Sequence, residues 1–438
     1  MAYIFLLKKL AVNKTKETLI IGFALFSMFF GAGNLILPPF LGFKSGSDWY
    51  LVTIGFALTA VIIPILGIFA HARLQGTMYD FGKKVSPTFS LLYCLIVYAI
   101  SISLPAPRTA SVTHEMAIAP FFNISSLVTS SIYFGLVFLF VINRSKILNL
   151  IGKFLTPLII IILFLIIGIG IFSSNTEMNP SIFKTPVVDG LLEGYQTFDA
   201  IGAIVVGGVL IISLNLKGFS GFKDKKELIT KAGVIAGLGL LSIYGGLILV
   251  GALNNGQFVD DITRTGLLSG LSLKTLGTIG SSFLSVLVAL ACFTTAVGII
   301  TGTADYFKGL FKDSKLAYLI TAIIACSLGI VVGQFDVHYI IKIAIPALMF
   351  IYPITIVLIL LNVLPEKYTS PTIFKSVVLV TILFSFPDFL KSIGYEENIK
   401  NSIDFIPLAQ YSLGWVLPAL ITFLLLNFNT FTTKAISK

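Results

Sequence analysis

The run FFGAGNLILPPF, Phe29 to Phe40, lies inside a segment that otherwise reads as a membrane span. Two glycines and an asparagine stand near its middle, and two prolines follow. A helix interior loses about 1 kcal/mol for a glycine and about 3 kcal/mol for a proline, so Gly31, Gly33, Pro38 and Pro39 weaken one helix at two neighbouring places. Close packing of helices around small residues explains such glycines, and so does a built-in break in the helix.

The surroundings of that run set its solvent. Of 438 residues, 56% are hydrophobic and 11% charged, and the mean hydropathy is +0.98. One water-soluble core cannot hide that much apolar surface. Lipid offers no hydrogen bonds to bare backbone, so spanning elements must be helices or a closed barrel, and apolar runs of roughly 20 residues select helices. The sequence predicts an all-α polytopic membrane protein.

About twelve spans are expected, near 19–43, 51–70, 89–112, 127–142, 155–172, 191–214, 232–253, 276–306, 316–332, 339–364, 377–390 and 409–426, the eleventh short. With both termini in the cytoplasm, about 22 of the 30 basic residues fall on the cytoplasmic side and about 8 outside, as the positive-inside rule expects. The densest basic loop, with Lys217, Lys223, Lys225, Lys226 and Lys231, reads as a topology signal rather than a nucleic-acid or protein-partner site. The net charge of +10 needs no partner beyond anionic lipid. The opening MAYIFLLKKLAVNKTKE lacks a small-residue cleavage site, so no removable signal peptide is expected. Cys94, Cys292 and Cys326 sit in apolar segments at unrelated spacings, which fits core residues rather than a disulfide or a metal site.

A second interruption stands in the sixth span, EGYQTFDAIGAIVVGG, where Asp199 is followed by Gly202, Gly207 and Gly208. If spans one to five and six to ten are two copies of one unit, the odd number makes the second copy enter from the opposite side. Interrupted helices in matching positions of inverted repeats mark the binding site of a secondary transporter. At each break the second half-helix offers unpaired N–H groups and partial positive charge, which suit a carboxylate. The first half offers unpaired carbonyls, which suit Na⁺ or an ammonium group. A zwitterionic amino acid with a cation satisfies both ends. In the eighth span, Thr294 and Thr295 carry hydroxyls that either ligate a small cation or bond back to their own helix.

Four stretches in register, GFALFSMFFGAGNLILPPFLG, LPAPRTASVTHE, GYQTFDAIGA and LACFTTAVG, resemble the branched-chain amino acid:cation symporter (LIVCS) family of BrnQ-type carriers, over nearly the whole chain. That resemblance implies the leucine-transporter (LeuT) fold. One transport domain would hold inverted repeats at about 17–173 and 190–365 and two additional helices at about 374–428. It implies import of leucine, isoleucine and valine across the bacterial plasma membrane with Na⁺ or H⁺, and no cofactor. Carried over by motif, Phe30, Gly31, Ala32, Gly33 and Asn34 and Phe198, Asp199, Ala200, Ile201 and Gly202 would meet the substrate. Carbonyls of Ser27 and Phe30, the Ala291 carbonyl and the Thr294 and Thr295 hydroxyls would meet Na⁺.

Asp199 reads either as a wet helix cap at the outer interface or as a cation partner, gate or proton carrier. Arg108 either snorkels outward or pairs with a gate acid, Asp199 or Glu115. His114 and Asp305 are placed at span ends. An intramembrane enzyme would need a nucleophile with a base, paired carboxylates or metal ligands. His71, His114 and His338 are scattered, and Asp260 and Asp261 share an outer loop with no partner motif. Repeated broken helices also suit alternating access better than a passive channel, which leaves a transporter of the same fold for another small zwitterion as the alternative.

Overall fold

A computed structural model of the chain describes residues 14–143, 147–173, 177–216, 221–403 and 405–436. The amino-terminal stretch read for a signal peptide lies largely outside these residues, as does Lys217. In order, the helices are α1 (Lys14–Phe29), α2 (Ala32–Ser45), α3 (Trp49–Ala57), α4 (Ile63–Leu74), α5 (Met78–Gly82), α6 (Pro87–Ser103), α7 (Pro105–Thr113), α8 (Ser126–Asn143) and α9 (Ile147–Ser173). There follow α10 (Pro186–Tyr195), α11 (Asp199–Leu216), α12 (Phe222–Leu253), α13 (Arg264–Leu310), α14 (Lys315–Gly333), α15 (Val337–Val363), α16 (Pro371–Ser392), α17 (Glu396–Ile403) and α18 (Val416–Ile436). Among the described residues there is no β-strand.

Each expected span meets a helix or a pair of half-helices. Eight helical runs among the described residues are long and apolar enough to cross a membrane. The first and sixth expected spans are divided, into α1 and α2 and into α10 and α11. The second stays continuous through a π-helical turn at Leu58–Ile62, and the third bends at Leu104 between α6 and α7 and runs on into a π-helical turn at His114–Ile118. Leu19, Phe23, Ile132, Ile161, Leu238 and Leu383 are among the large apolar side chains facing outward, as a lipid solvent favours.

Three boundaries differ from the sequence reading. The eleventh span is not short: Ser370 caps α16 by accepting from the Ile373 N–H, and Pro371 opens the helix ahead of Lys375, where a hydropathy scan stops. The eighth span, expected from Leu276, is preceded by a helical arm at 264–276. The two join at Gly277, whose φ of 67° is left-handed and turns the chain. The twelfth starts at Val416 instead of Ala409, because Leu408 and Ser412 hold left-handed conformations that stop a helix.

Two apolar clusters form the interior. One gathers Leu25, Phe29, Ile36, Leu247 and Val288; the other gathers Phe81, Tyr93, Tyr195, Ile204, Tyr352 and Phe374. The divided helices are pinned to neighbours by backbone-to-backbone approach. A Cβ added at Gly42 of α2 would stand 1.8 Å from the Ile248 carbonyl oxygen of α12, and one at Gly251 of α12 would stand 2.0 Å from the Pro39 carbonyl oxygen. Gly55 of α3 and Gly190 of α10 make the same reciprocal contact, 1.9 Å from Val187 O and 2.2 Å from Val52 O. Helices in lipid gain nothing from hiding apolar surface from one another, so such close approach is what holds them together. Cys94, Cys292 and Cys326 are free and buried. Within the basic loop, Lys223 and Lys226 are exposed, and Asp224 bonds the Lys14 ammonium at 2.6 Å.

Gly42→Leu and Gly251→Leu are each expected to abolish the folded, monodisperse protein, measured by size-exclusion chromatography and thermal unfolding in detergent. Gly135→Leu should leave both unchanged, since a Cβ there meets nothing within 4 Å.

Candidate functional site

The first break occupies Phe30 and Gly31. Phe30 N–H still reaches the Phe26 carbonyl at 2.8 Å, but Gly31 N–H turns back to the Phe29 carbonyl at 2.9 Å, and Gly31 itself is extended (φ −88°, ψ 166°). Asn34 N–H then bonds the Gly31 carbonyl at 3.0 Å and starts the next helix. The Asn34 side chain is buried in this gap, its amide 2.6 Å from the Phe29 carbonyl and 2.8 and 2.9 Å from the two Asp199 carboxylate oxygens. An amide has two hydrogens, so one serves the carbonyl that ends α1 and the other is shared between the carboxylate and the Tyr244 hydroxyl oxygen, 3.0 Å away. Tyr244 of α12 donates its hydroxyl to the same carboxylate at 3.4 Å and stacks on Phe30, ring centroids 6.2 Å apart.

The second break covers Gln196, Thr197 and Phe198. Phe198 has φ 61°, a left-handed conformation uncommon outside glycine, and its ring lies 5.4 Å from the Arg108 guanidinium carbon. The N–H groups that open α11 are met by the protein itself. Asp199 N–H bonds the Thr197 hydroxyl at 3.2 Å, and Ala200 N–H bonds the Tyr352 hydroxyl of α15 at 3.3 Å. Gly202 N–H closes the first turn on the Phe198 carbonyl at 2.8 Å, while Ala200 and Ile201 are buried.

The structure thus brings the two breaks together through Asn34 and Asp199. The wet-cap reading of Asp199 is overturned: its side chain is 5% exposed and bonded to another broken helix. Of Ala32 only the backbone is described, as the first residue of α2. A Cβ added at Gly33 would fall 2.2 Å from Arg108 Nη2, so any larger residue there would displace the guanidinium from its present position.

Arg108 is buried and donates to the Gln196 carbonyl at 2.8 Å. The snorkelling reading is therefore overturned. Among the described residues neither Asp199 nor Glu115 forms an ion pair with it in this structure. Glu115 accepts from the Thr265 hydroxyl at 2.5 Å and the Val337 N–H at 2.8 Å, which leaves it tying the α13 arm to the start of α15. The ion pair that sequence reading missed is Arg264 with Glu193 at 2.9 Å, both side chains largely covered, with the Arg264 guanidinium 4.5 Å from the Phe40 ring centroid.

Thr294 and Thr295 both donate to the Ala291 carbonyl, at 3.0 and 2.9 Å. Thr295 also faces the first break, its Oγ1 and Cγ2 each 3.6 Å from where a Gly31 Cβ would be. Ser27 lies one turn before that break and is half-buried. His114 bonds the Thr129 hydroxyl at 2.9 Å at the start of a π turn, and Asp305 is exposed near the end of α13, both apart from the breaks. Tyr244 and Tyr352 were missed altogether. They lie in later spans with no local motif, and only folding brings them to the breaks.

The model of the branched-chain amino acid transport protein family matches residues 14–432. The chain is 33% identical over 421 residues to the branched-chain amino acid permease BraB of Bacillus subtilis, covering 93% of this chain and 94% of that one. It is 33% identical over 417 residues to the branched-chain amino acid transport system 2 carrier protein of Pseudomonas aeruginosa, covering 93% and 95%. Among solved structures it is similar to Mhp1 in an inward-facing conformation, with a TM-score of 0.58 and 12% identity over 96% of this chain and 91% of that one. MhsT in complex with L-phenylalanine is also similar, with a TM-score of 0.53 and 16% identity over 92% and 97%. The shared architecture is the leucine-transporter fold.

In a double-mutant cycle of thermal unfolding, Asn34→Ala and Asp199→Ala are expected to couple by more than about 1 kcal/mol, as residues in one hydrogen-bond network do. Purely additive losses would show that the two breaks are not joined there.

Proposed function

We infer that this chain, which belongs to the branched-chain amino acid transport protein family, imports leucine, isoleucine and valine across the bacterial plasma membrane, coupled to Na⁺ or H⁺. The observation that carries the mechanism is the meeting of two interrupted helices at Asn34 and Asp199. Broken helices at one point supply helix ends of both polarities, and alternating access moves one bundle around such a point. The names of the relatives support the substrate class.

In this reading both termini are cytoplasmic, 17–173 and 190–365 are the inverted halves, and 374–428 adds two helices. The substrate lies between Phe30 to Asn34 and Phe198 to Gly202. Na⁺ lies between the carbonyls of Ser27 and Phe30 and the Ala291, Thr294 and Thr295 oxygens, a placement supported by Thr295 facing Gly31. A hydroxyl that donates its hydrogen to Ala291 O keeps its lone pairs for a cation. One charge crossing roughly 100 mV supplies about 2.3 kcal/mol, and a tenfold cation gradient adds about 1.4 kcal/mol, enough together for accumulation of a few hundredfold. Apolar walls discriminate by about 1–3 kcal/mol per methylene, so preference among the three substrates is weak.

Labelled leucine in proteoliposomes is expected to accumulate under an inward Na⁺ or H⁺ gradient and to be competed by isoleucine and valine. No concentrative uptake of any of the three under either gradient would overturn the assignment, and competition by a different zwitterion would redirect it. Thr294→Ala with Thr295→Ala should remove stimulation by Na⁺; undiminished stimulation would sink the cation placement. Gly33→Leu should abolish uptake, while Pro39→Ala, past the break and within α2, should only weaken it.

A further inference from the structure

We propose that Arg108 is the anchor for the substrate's carboxylate, an assignment that rests on the transport reading above. The guanidinium spans the two breaks: Nη2 lies against Gly33 of the first, Nη1 bonds Gln196 O of the second, and the group packs on the Phe198 ring. A guanidinium has five N–H donors in a rigid fork. Among the described residues Arg108 makes one hydrogen bond, to Gln196, although it is 5% exposed. Burying a cation with so few partners is costly unless a further acceptor completes the set.

The nearest anion does not complete it. Asp199 is close enough to attract Arg108, yet its oxygens are taken up by the Asn34 amide and the Tyr244 hydroxyl. Arginine–carboxylate pairs are frequently bidentate, guanidinium on carboxylate. Instead the junction keeps one positive and one negative group beside each other and unjoined, which is the complement of a zwitterion. The other nearby cation, Arg264, is already bonded to Glu193. The helix N-terminus of α11 is a poorer carboxylate site, since its first two N–H groups are bonded to Thr197 and Tyr352. Arg108 therefore takes the carboxylate by its open fork, and glycine at position 33 is the clearance that lets the fork lie there.

The test uses the full chain, purified in detergent, with leucine and leucinamide as probes of ligand-induced thermal stabilisation, and competition against labelled leucine uptake in proteoliposomes. Wild-type protein should prefer leucine to leucinamide by about 100-fold, the scale of a desolvated charge pair. Arg108→Gln should lose about 100-fold in leucine affinity while its affinity for leucinamide changes little, so that the preference collapses. Arg108→Lys, which keeps the charge without the fork, should retain part of the preference and serves if the glutamine variant does not fold. Wild-type protein that does not distinguish leucine from leucinamide, or an Arg108→Gln variant that keeps the wild-type ratio, overturns the assignment. If leucine neither binds nor is transported while another amino acid is, the substrate assignment fails, and the same acid-to-amide ratio measured with that amino acid still tests Arg108.

Discussion

The Asn34 amide, set between the Phe29 carbonyl that ends one half-helix and the Asp199 carboxylate that begins another, is the contact on which the rest of this molecule depends. A helix cut inside a membrane exposes backbone groups that lipid cannot satisfy. The chain answers at both cuts with its own side chains: Asn34 for the first, Thr197 and Tyr352 for the second, and Arg108 for the Gln196 carbonyl between them. Each cut is thus tolerated because the other, and the helices beside it, supply the missing partners.

The cuts also explain where the chain is packed most closely. The half-helices α1, α2 and α10, only 16, 14 and 10 residues long, are among the most extensively packed elements, α1 and α2 against α12 and α10 against α3. Reciprocal glycine contacts bring α2 against α12 and α10 against α3 at backbone distance. Polar bonds stand beside these contacts, Asn34 to the Tyr244 hydroxyl of α12 at 3.0 Å and the Thr59 hydroxyl to the Leu191 carbonyl of α10 at 2.8 Å. The ion pair of Arg264 with Glu193 and the bonds of Glu115 to Thr265 and Val337 add polar ties from the arm at 264–276. Glu193 and Glu115 are thereby engaged with groups other than Arg108.

In the eighth span the two readings of Thr294 and Thr295 do not exclude each other. Thr294 and Thr295 do bond back to Ala291 O, as membrane threonines commonly do. The same bonds orient the hydroxyls so that their lone pairs, not their hydrogens, point away from the helix. With Thr295 standing opposite Gly31, the back-bond becomes a means of presenting oxygen to the first break.

Much of the architecture was legible in the sequence because lipid imposes simple rules on it. Composition dictates helices, apolar runs place them, and the glycines and polar residues at 31–34 and 196–202 mark where two of them stop, since a bare helix break is too costly to be casual. Motif resemblance carried the family. Sequence left two readings open for both Asp199 and Arg108, for a single reason: a charge near a span end can reach water or a partner in another helix, and only the packed structure shows that both are buried. The partners Tyr244 and Tyr352 and the Arg264–Glu193 pair come from spans far apart along the chain, with no local pattern to connect them. The sequence alone determined that this protein spans a membrane in helices and breaks two of them. Tertiary structure decided that the breaks face each other, because hydrogen-bond geometry exists only once the helices have packed.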